Sequence, residues 1–269
     1  MRAIDMHCHI FPQKIAARAV ENIGSYYGIP MNGSGTVADL LAQGKEAGID
    51  RFLVHSTATK TEQVHSINDY IAGVQAGNPG CIGFGTLHPG LGDVRAEADR
   101  VISLGLHGIK LHPEFQNFRI DEDGMMPVYE ALEGRLPVLM HMGDEHSDFS
   151  SPKRLCRVLE KFPRLTVIAA HLGGYRMWEE SMQYLSGRSL YFDTSSSLSF
   201  LGRDRALQMI RSHGTDKVLF GSDYPMWSPA KELDDLLGLG LTQEEQDRIL
   251  WKNACELLKM GYVVNNRPA

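Results

Sequence analysis

The chain has 269 residues, a net charge of −6, and 43% hydrophobic and 22% charged residues, the make-up of a soluble globular protein long enough to bury a large core. The acidic balance, without a basic patch, argues against an electrostatic binder of nucleic acid or of a membrane surface. No apolar run approaches the length of a membrane span, and the opening "MRAIDMHCHI" lacks the apolar stretch of a secretory signal. Cys8, Cys81, Cys156 and Cys255 are scattered without a CxxC pair, so a reduced cytoplasmic protein is expected.

The first element, "AIDMHCHI", carries two histidines two residues apart. In a strand, residues i and i+2 share a face with Cα atoms about 6.6 Å apart. His7 and His9 can then converge on one ion, while Cys8 faces the other way and packs. Thr36 caps a helix through "VADLLAQGKEAG" that stops at Gly48. A regular alternation follows. The strands are "DRFLVH", "CIGFGTL", "HGIKLH", "LPVLMH", "LTVIAAH", "SLYFDT" and "KVLFGSD". The helices between them are "TEQVHSINDYIAGVQAG", "DVRAEADRVISLG", "MMPVYEALEG", "SPKRLCRVLEKFP", "YRMWEESMQYLS" and "GRDRALQMIRSHG". Thr242 and Glu245 form a capping box before "QDRILWKNACELL".

Eight strands alternating with helices predict a parallel sheet covered by helices, and the count and length fit a single (β/α)8 barrel domain over residues 1–269. A doubly wound open sheet is the alternative, but "HCHIFPQK" holds no glycine-rich phosphate loop.

The C-terminal ends of the strands converge on one rim of such a barrel. They carry His7 and His9, then His55, His88, Lys110 with His112, His141, His171, Asp193 and Asp223. A lone histidine at a strand end is more often structural than a ligand. The coincidence of so many titratable groups is what points to a site. Neutral imidazoles with a carboxylate suit a divalent transition ion, zinc first.

"DMHCHIFP", "GIKLHPEFQNF", "LPVLMHMGD", "VIAAHLGG", "VLFGSDYP" and "ILWKNACELL" together resemble the signatures of the amidohydrolase superfamily. The resemblance is to the amidohydrolase-related branch that includes aminocarboxymuconate-semialdehyde decarboxylase. It implies a distorted TIM barrel with one divalent ion, zinc or alternatively manganese, held by His7, His9, His141 and Asp223. It implies catalytic roles for His171 and Asp223, with Lys110 and His112 lining the substrate pocket. Binuclear members carbamylate a fourth-strand lysine, and here a mononuclear site with an unmodified Lys110 is expected.

His55 and His88 are candidates to orient the ligands or to close turns. Trp178 and Trp227 are candidates for an apolar wall or for core packing, and Arg119 and Arg176 for gripping a substrate carboxylate. Water activated by the ion, its pKa brought down towards about 7 in the best zinc sites, makes hydrolysis of a small amide, ester or lactone the first functional expectation. Non-oxidative decarboxylation of a small unsaturated or aromatic acid is the alternative, and an inactive metal-binding protein is the third reading. The expected partner is a small-molecule substrate, with a homodimer as the candidate assembly.

Overall fold

The alternation read from the sequence is realised as eight parallel strands in sequential order. The structure is a computed structural model and describes residues 2–260. The strands are β1 (Ile4–His9), β2 (Arg51–His55), β3 (Cys81–Thr86), β4 (Gly108–Leu111), β5 (Val138–Met140), β6 (Val167–Ala169), β7 (Tyr191–Asp193) and β8 (Val218–Leu219). The segment after β8 returns to β1. The Met6 amide donates to Phe220 O at 2.8 Å, Asp223 N to His7 O at 2.9 Å and His9 N to Tyr224 O at 2.7 Å. These bonds close the sheet into a (β/α)8 barrel, which removes the exposed edges that the open alternative would leave.

Inside the barrel, Ile4, Met6, Leu53, Ile82, Phe84, Leu139, Ile168 and Leu219 pack on one another. Alternate residues, among them Phe52, Val54, Ile109, Leu111, Val138, Met140, Val167 and Phe192, face the surrounding helices, as the period of two requires. No helix among the described residues is long and apolar enough to cross a membrane.

β1 departs from that period. Asp5 pairs with Phe52 but Cys8 pairs with Val54, so three steps on β1 match two on β2. The extra residue is a β-bulge, which re-aims the side chains beyond it. Ile4 and Met6 enter the core below the bulge. Above it His7 and His9 turn inward, and Cys8 packs among the outward-facing residues.

Several helix boundaries are set by caps. Thr36 Oγ1 accepts from Asp39 N, and Gly48 ends helix Val37–Ala47 in the left-handed conformation, as expected. Thr242 and Glu245 form the anticipated capping box, but their helix continues as a π turn over Arg248–Lys252 before Asn253–Leu257. Two further helices, Gln13–Tyr27 and Pro229–Leu237, lie outside the simple alternation.

Behind β7, the buried His213 ring stacks on Phe192 with centroids 3.8 Å apart. Its Nε2 donates to Leu190 O at 3.0 Å, and its Nδ1 accepts from Gly187 N at 3.2 Å. Only the neutral ring satisfies both, and burial pushes its pKa from 6.5 down to about 4. As pH falls, the unfolded chain takes up this proton first, so the contribution is present above about pH 6.5 and is lost towards pH 4. Between pH 7.5 and 5 the wild type should lose ~2 kcal/mol more stability than His213→Gln. Urea unfolding of both proteins at the two pH values measures the difference, and equal losses would contradict it.

Candidate metal centre and active site

His7 sits at the centre of the rim. Its Nδ1 lies 2.9 Å from Asp193 Oδ2, and a carboxylate accepts, so Nδ1 carries the proton and Nε2 keeps its lone pair. That Nε2 lies 3.3 Å from His9 Nε2 and 3.4 Å from Asp223 Oδ1, and His9 Nε2 lies 3.3 Å from the same oxygen. Donor atoms about 2.0–2.1 Å from a tetrahedral zinc ion stand about 3.3–3.4 Å from one another. The three side chains therefore form one face of such a coordination sphere, and this donor set fits a divalent ion. Gly221 permits the approach of β8 to β1, since a Cβ there would stand 2.9 Å from that of His7.

The protonation states suit the same task. Burial, reinforced by the Lys110 charge, pushes His7 well below its ordinary pKa, and burial likewise lowers His9, so both are neutral imidazoles near pH 7. Burial alone would raise the Asp223 carboxyl, but the His7 and His9 rings hold it well below the carboxylate range. Its other oxygen accepts from Ser196 Oγ at 2.6 Å, and that hydroxyl accepts from Trp227 Nε1 at 2.8 Å. Lys110, wholly buried, places Nζ 2.9 Å from His7 Nε2, and burial brings its pKa down to about 8.

Asp193 organises the inner side. Its Oδ1 accepts from His171 N at 3.0 Å, Ser195 N at 3.1 Å and Ser195 Oγ at 2.5 Å. His171 Nδ1 lies 3.1 Å from the Ser195 carbonyl, which only accepts, so Nδ1 carries hydrogen and Nε2 is left with a lone pair. His141 Nε2 lies 2.9 Å from Gly143 O, which by the same reasoning leaves a lone pair on Nδ1. These two lone-pair nitrogens face each other at 3.0 Å, an arrangement that calls for a shared proton or a cation between them. His171, Leu172, Ser196 and Asp223 all hold positive φ, between 48° and 62°. Non-glycine residues in this region are strained, and such strain concentrates at functional sites.

The pocket above is lined by His9, Ile23, Tyr27, Met31, His112, Phe115, His141, Asp223, Pro225 and Met226. Tyr27 OH lies 3.2 Å from His112 Nε2 and 3.4 Å from His141 Nε2. Glu114 anchors one oxygen on Ser150 Oγ at 2.6 Å. Its buried Oε2 has no hydrogen-bond partner among the described residues and faces His112 Nδ1 at 3.7 Å and His141 Nε2 at 3.9 Å. Burial raises that carboxyl to about 7. The His112 and His141 rings stack in parallel, 4.0 Å apart, so their in-plane lone pairs do not converge on a single ion.

The structure thus brings His7, His9 and Asp223 into one cluster, with Lys110 on His7. It places His141 against His171 and His112 across the same pocket. His55 joins the cluster, whereas His88 closes a turn by accepting from Gly90 N. Trp178 and Trp227 do more than pack, because they donate to His171 O and Ser196 Oγ. Arg119 lies out on Phe149, and Arg176 lies on the Phe200 ring at 4.0 Å. Tyr27, Glu114, Ser195 and Ser196 were not anticipated. Tyr27 arrives on the unforeseen helix Gln13–Tyr27, and the serines sit in "DTSSS", which reads as an ordinary turn.

The role of Asp193 is testable. In Asp193→Asn, an amide NH₂ facing His7 Nδ1 would drive the ring proton to Nε2 and block that nitrogen as a ligand. Zinc affinity should fall by about 10- to 100-fold, measured by chelator competition. Unchanged affinity would show that Asp193 does not set the His7 tautomer.

An amidohydrolase family model matches residues 4–260, while no curated protein matches the chain. Solved structures with the same fold include three that are matched almost end to end. A 5-carboxyvanillate decarboxylase from Sphingomonas paucimobilis is 17% identical, with a TM-score of 0.75 over 97% of this chain and 99% of that one. A 2,6-dihydroxybenzoate decarboxylase from Rhizobium is 16% identical, with a TM-score of 0.72 over 96% and 98%. A dihydroxybenzoic acid decarboxylase from Polaromonas, solved with manganese and the inhibitor 2-nitroresorcinol, is 17% identical, with a TM-score of 0.74 over 96% of each chain. The family match covers nearly the whole barrel and both ends of the candidate site, and the chain belongs to the amidohydrolase family of enzymes.

Proposed function

We propose that the protein is a metal-dependent, non-oxidative decarboxylase of a small aromatic or unsaturated carboxylic acid. The observation that carries this reading is a donor cluster of His7, His9 and Asp223 at the floor of a small pocket walled by Tyr27, Phe115, Met31, Ile23 and Met226. The Tyr27 and Phe115 side chains offer flat apolar faces against which a single planar ring can pack. The full-length likeness to decarboxylases of substituted benzoic acids supports the same substrate class. The residues alone favour hydrolysis, because metal-activated water suits it and the sequence does not place a cationic grip for a substrate acid. The aromatic pocket and the structural relatives favour the alternative.

We assign His7, His9 and Asp223 to the ion, while His141, which donates to Gly143 O through one nitrogen and faces His171 with the other, stands beside them on the β5 side. A divalent ion bound there supplies positive charge that orients substrate oxygens and stabilises negative charge developing on them. Manganese in the Polaromonas relative places that metal beside zinc as a candidate. The protein's own groups carry the rest. In the reaction the bond between a ring carbon and the carboxylate breaks, its electron pair stays on that carbon, carbon dioxide leaves, and a proton takes its place. His171 is the proposed proton donor, since its contact with His141 has room for one shared proton. Lys110 supplies the cation nearest the ion-binding groups, and His112 with Tyr27 offers polar contacts at the pocket wall. Tyr27, Phe115 and Met226 keep bulk water from the carbon being protonated.

Zinc- or manganese-loaded enzyme, incubated in D₂O with a panel of hydroxylated benzoic acids, should release carbon dioxide and leave deuterium on the vacated carbon. Metal-stripped enzyme should not. Turnover of esters or lactones, with every acid left intact, would return the assignment to hydrolysis. On the best acid, His171→Ala should keep its metal yet lose turnover by about 10²-fold or more. Loss of the metal in that variant would make His171 a ligand, and full activity would make it structural.

A further inference from the structure

We infer that His55 is a further ligand of the divalent ion, sharing it with His7 and His9. The inference deepens the metal-site reading proposed above and rests on it.

The strand register puts His55 there. His9 and His55 are partners across the β1–β2 pair, and paired residues on neighbouring strands point to the same face. Below it, Leu53 lies inside the barrel, so His55, two residues on, turns inward too. Its ring stands edge-on to His9, with centroids 4.3 Å apart and planes at 80°, and lies 5.1 Å from His7 at 63°. One nitrogen from each of the three rings falls within 4.8 Å of the others. Steeply inclined rings let their in-plane lone pairs meet at one point, unlike the parallel rings of His112 and His141.

A second observation is independent of that geometry. His55 is fully buried, yet neither of its ring nitrogens has a hydrogen-bond partner among the described residues. A neutral imidazole has one N–H and one lone pair, and leaving both unmet in the interior is costly. Thr57 Oγ1, two residues further on, is also buried and unmet. The end of β2 therefore offers polar atoms that no described residue uses. By contrast, both nitrogens of His141 are engaged, by Gly143 O and by His171. His55 is the uncommitted imidazole beside the His7–His9 pair.

The test uses cobalt(II) as the probe on stripped wild type, His55→Phe and His55→Gln, with affinity read by chelator competition and the coordination sphere by visible absorption. Both variants should bind cobalt about 100-fold or more weakly and with an altered d–d band. Wild-type affinity and an unchanged band in the variants would overturn the inference while leaving the ion site in place. A wild type that takes up no ion would overturn the ion site and the inference together. Should the variants fail to fold, long-range ¹H–¹⁵N spectra of wild type with and without zinc give the answer. Movement of a His55 nitrogen resonance to the metal-bound position supports the inference, and an unmoved resonance refutes it.

Discussion

The carboxylate of Asp193 is the interaction on which the rim depends. It accepts from His7 Nδ1, the His171 amide, and both the amide and the hydroxyl of Ser195. One oxygen sets the tautomer of His7. The other holds the backbone where β6 turns into the strained His171 and where β7 turns into Ser195. A buried carboxylate is costly unless its lone pairs are met, and four donors meet these. The His7 lone pair is thereby fixed on Nε2 and aimed at His9 and Asp223. Everything proposed for the ion follows from that orientation.

A second constraint acts through the backbone. The bulge between Asp5 and Cys8 changes which side chains of β1 face inward. Without it, the parity that puts Ile4 and Met6 in the core would send His7 outward and bring Cys8 in. Asp5 supports the bulge from within, accepting from the amides of His7 and Ser222. Across the barrel, Gln116 ties the rim loops together, with its Nε2 donating to Ala58 O and Leu87 O and its Oε1 accepting from His112 N. The charged and polar groups are thus carried by short, cross-linked strand ends, which is what precise ligand placement requires.

The fold was readable because each strand and most helices carry their own local signal, and because the polar residues fall at strand ends in chain order. The donor cluster was readable for the same reason: His7, His9 and Asp223 each close an apolar run. What was not readable depends on tertiary contact. The β1 bulge is a matter of register between two strands, invisible in either alone. Helix Gln13–Tyr27 lacks a side-chain cap, an acidic first turn and a basic last turn, so nothing local announced it, and Tyr27 was missed with it. Glu114 follows His112 in "HPE" and reads as the ordinary acidic residue of a helix start. Its importance lies in one buried oxygen left unmet among the described residues. In the sequence His55 is one more strand-end histidine, and only the structure shows that both its nitrogens lack hydrogen-bond partners among the described residues.

The most direct test of the account is the position of the ion. A crystal of manganese-loaded protein, with anomalous data collected at the manganese edge, locates it independently of any activity. The account predicts one strong peak at bonding distance from His7 Nε2, His9 Nε2 and Asp223 Oδ1. A peak instead between His112, Glu114 and His141, or none in fully loaded protein, would contradict it.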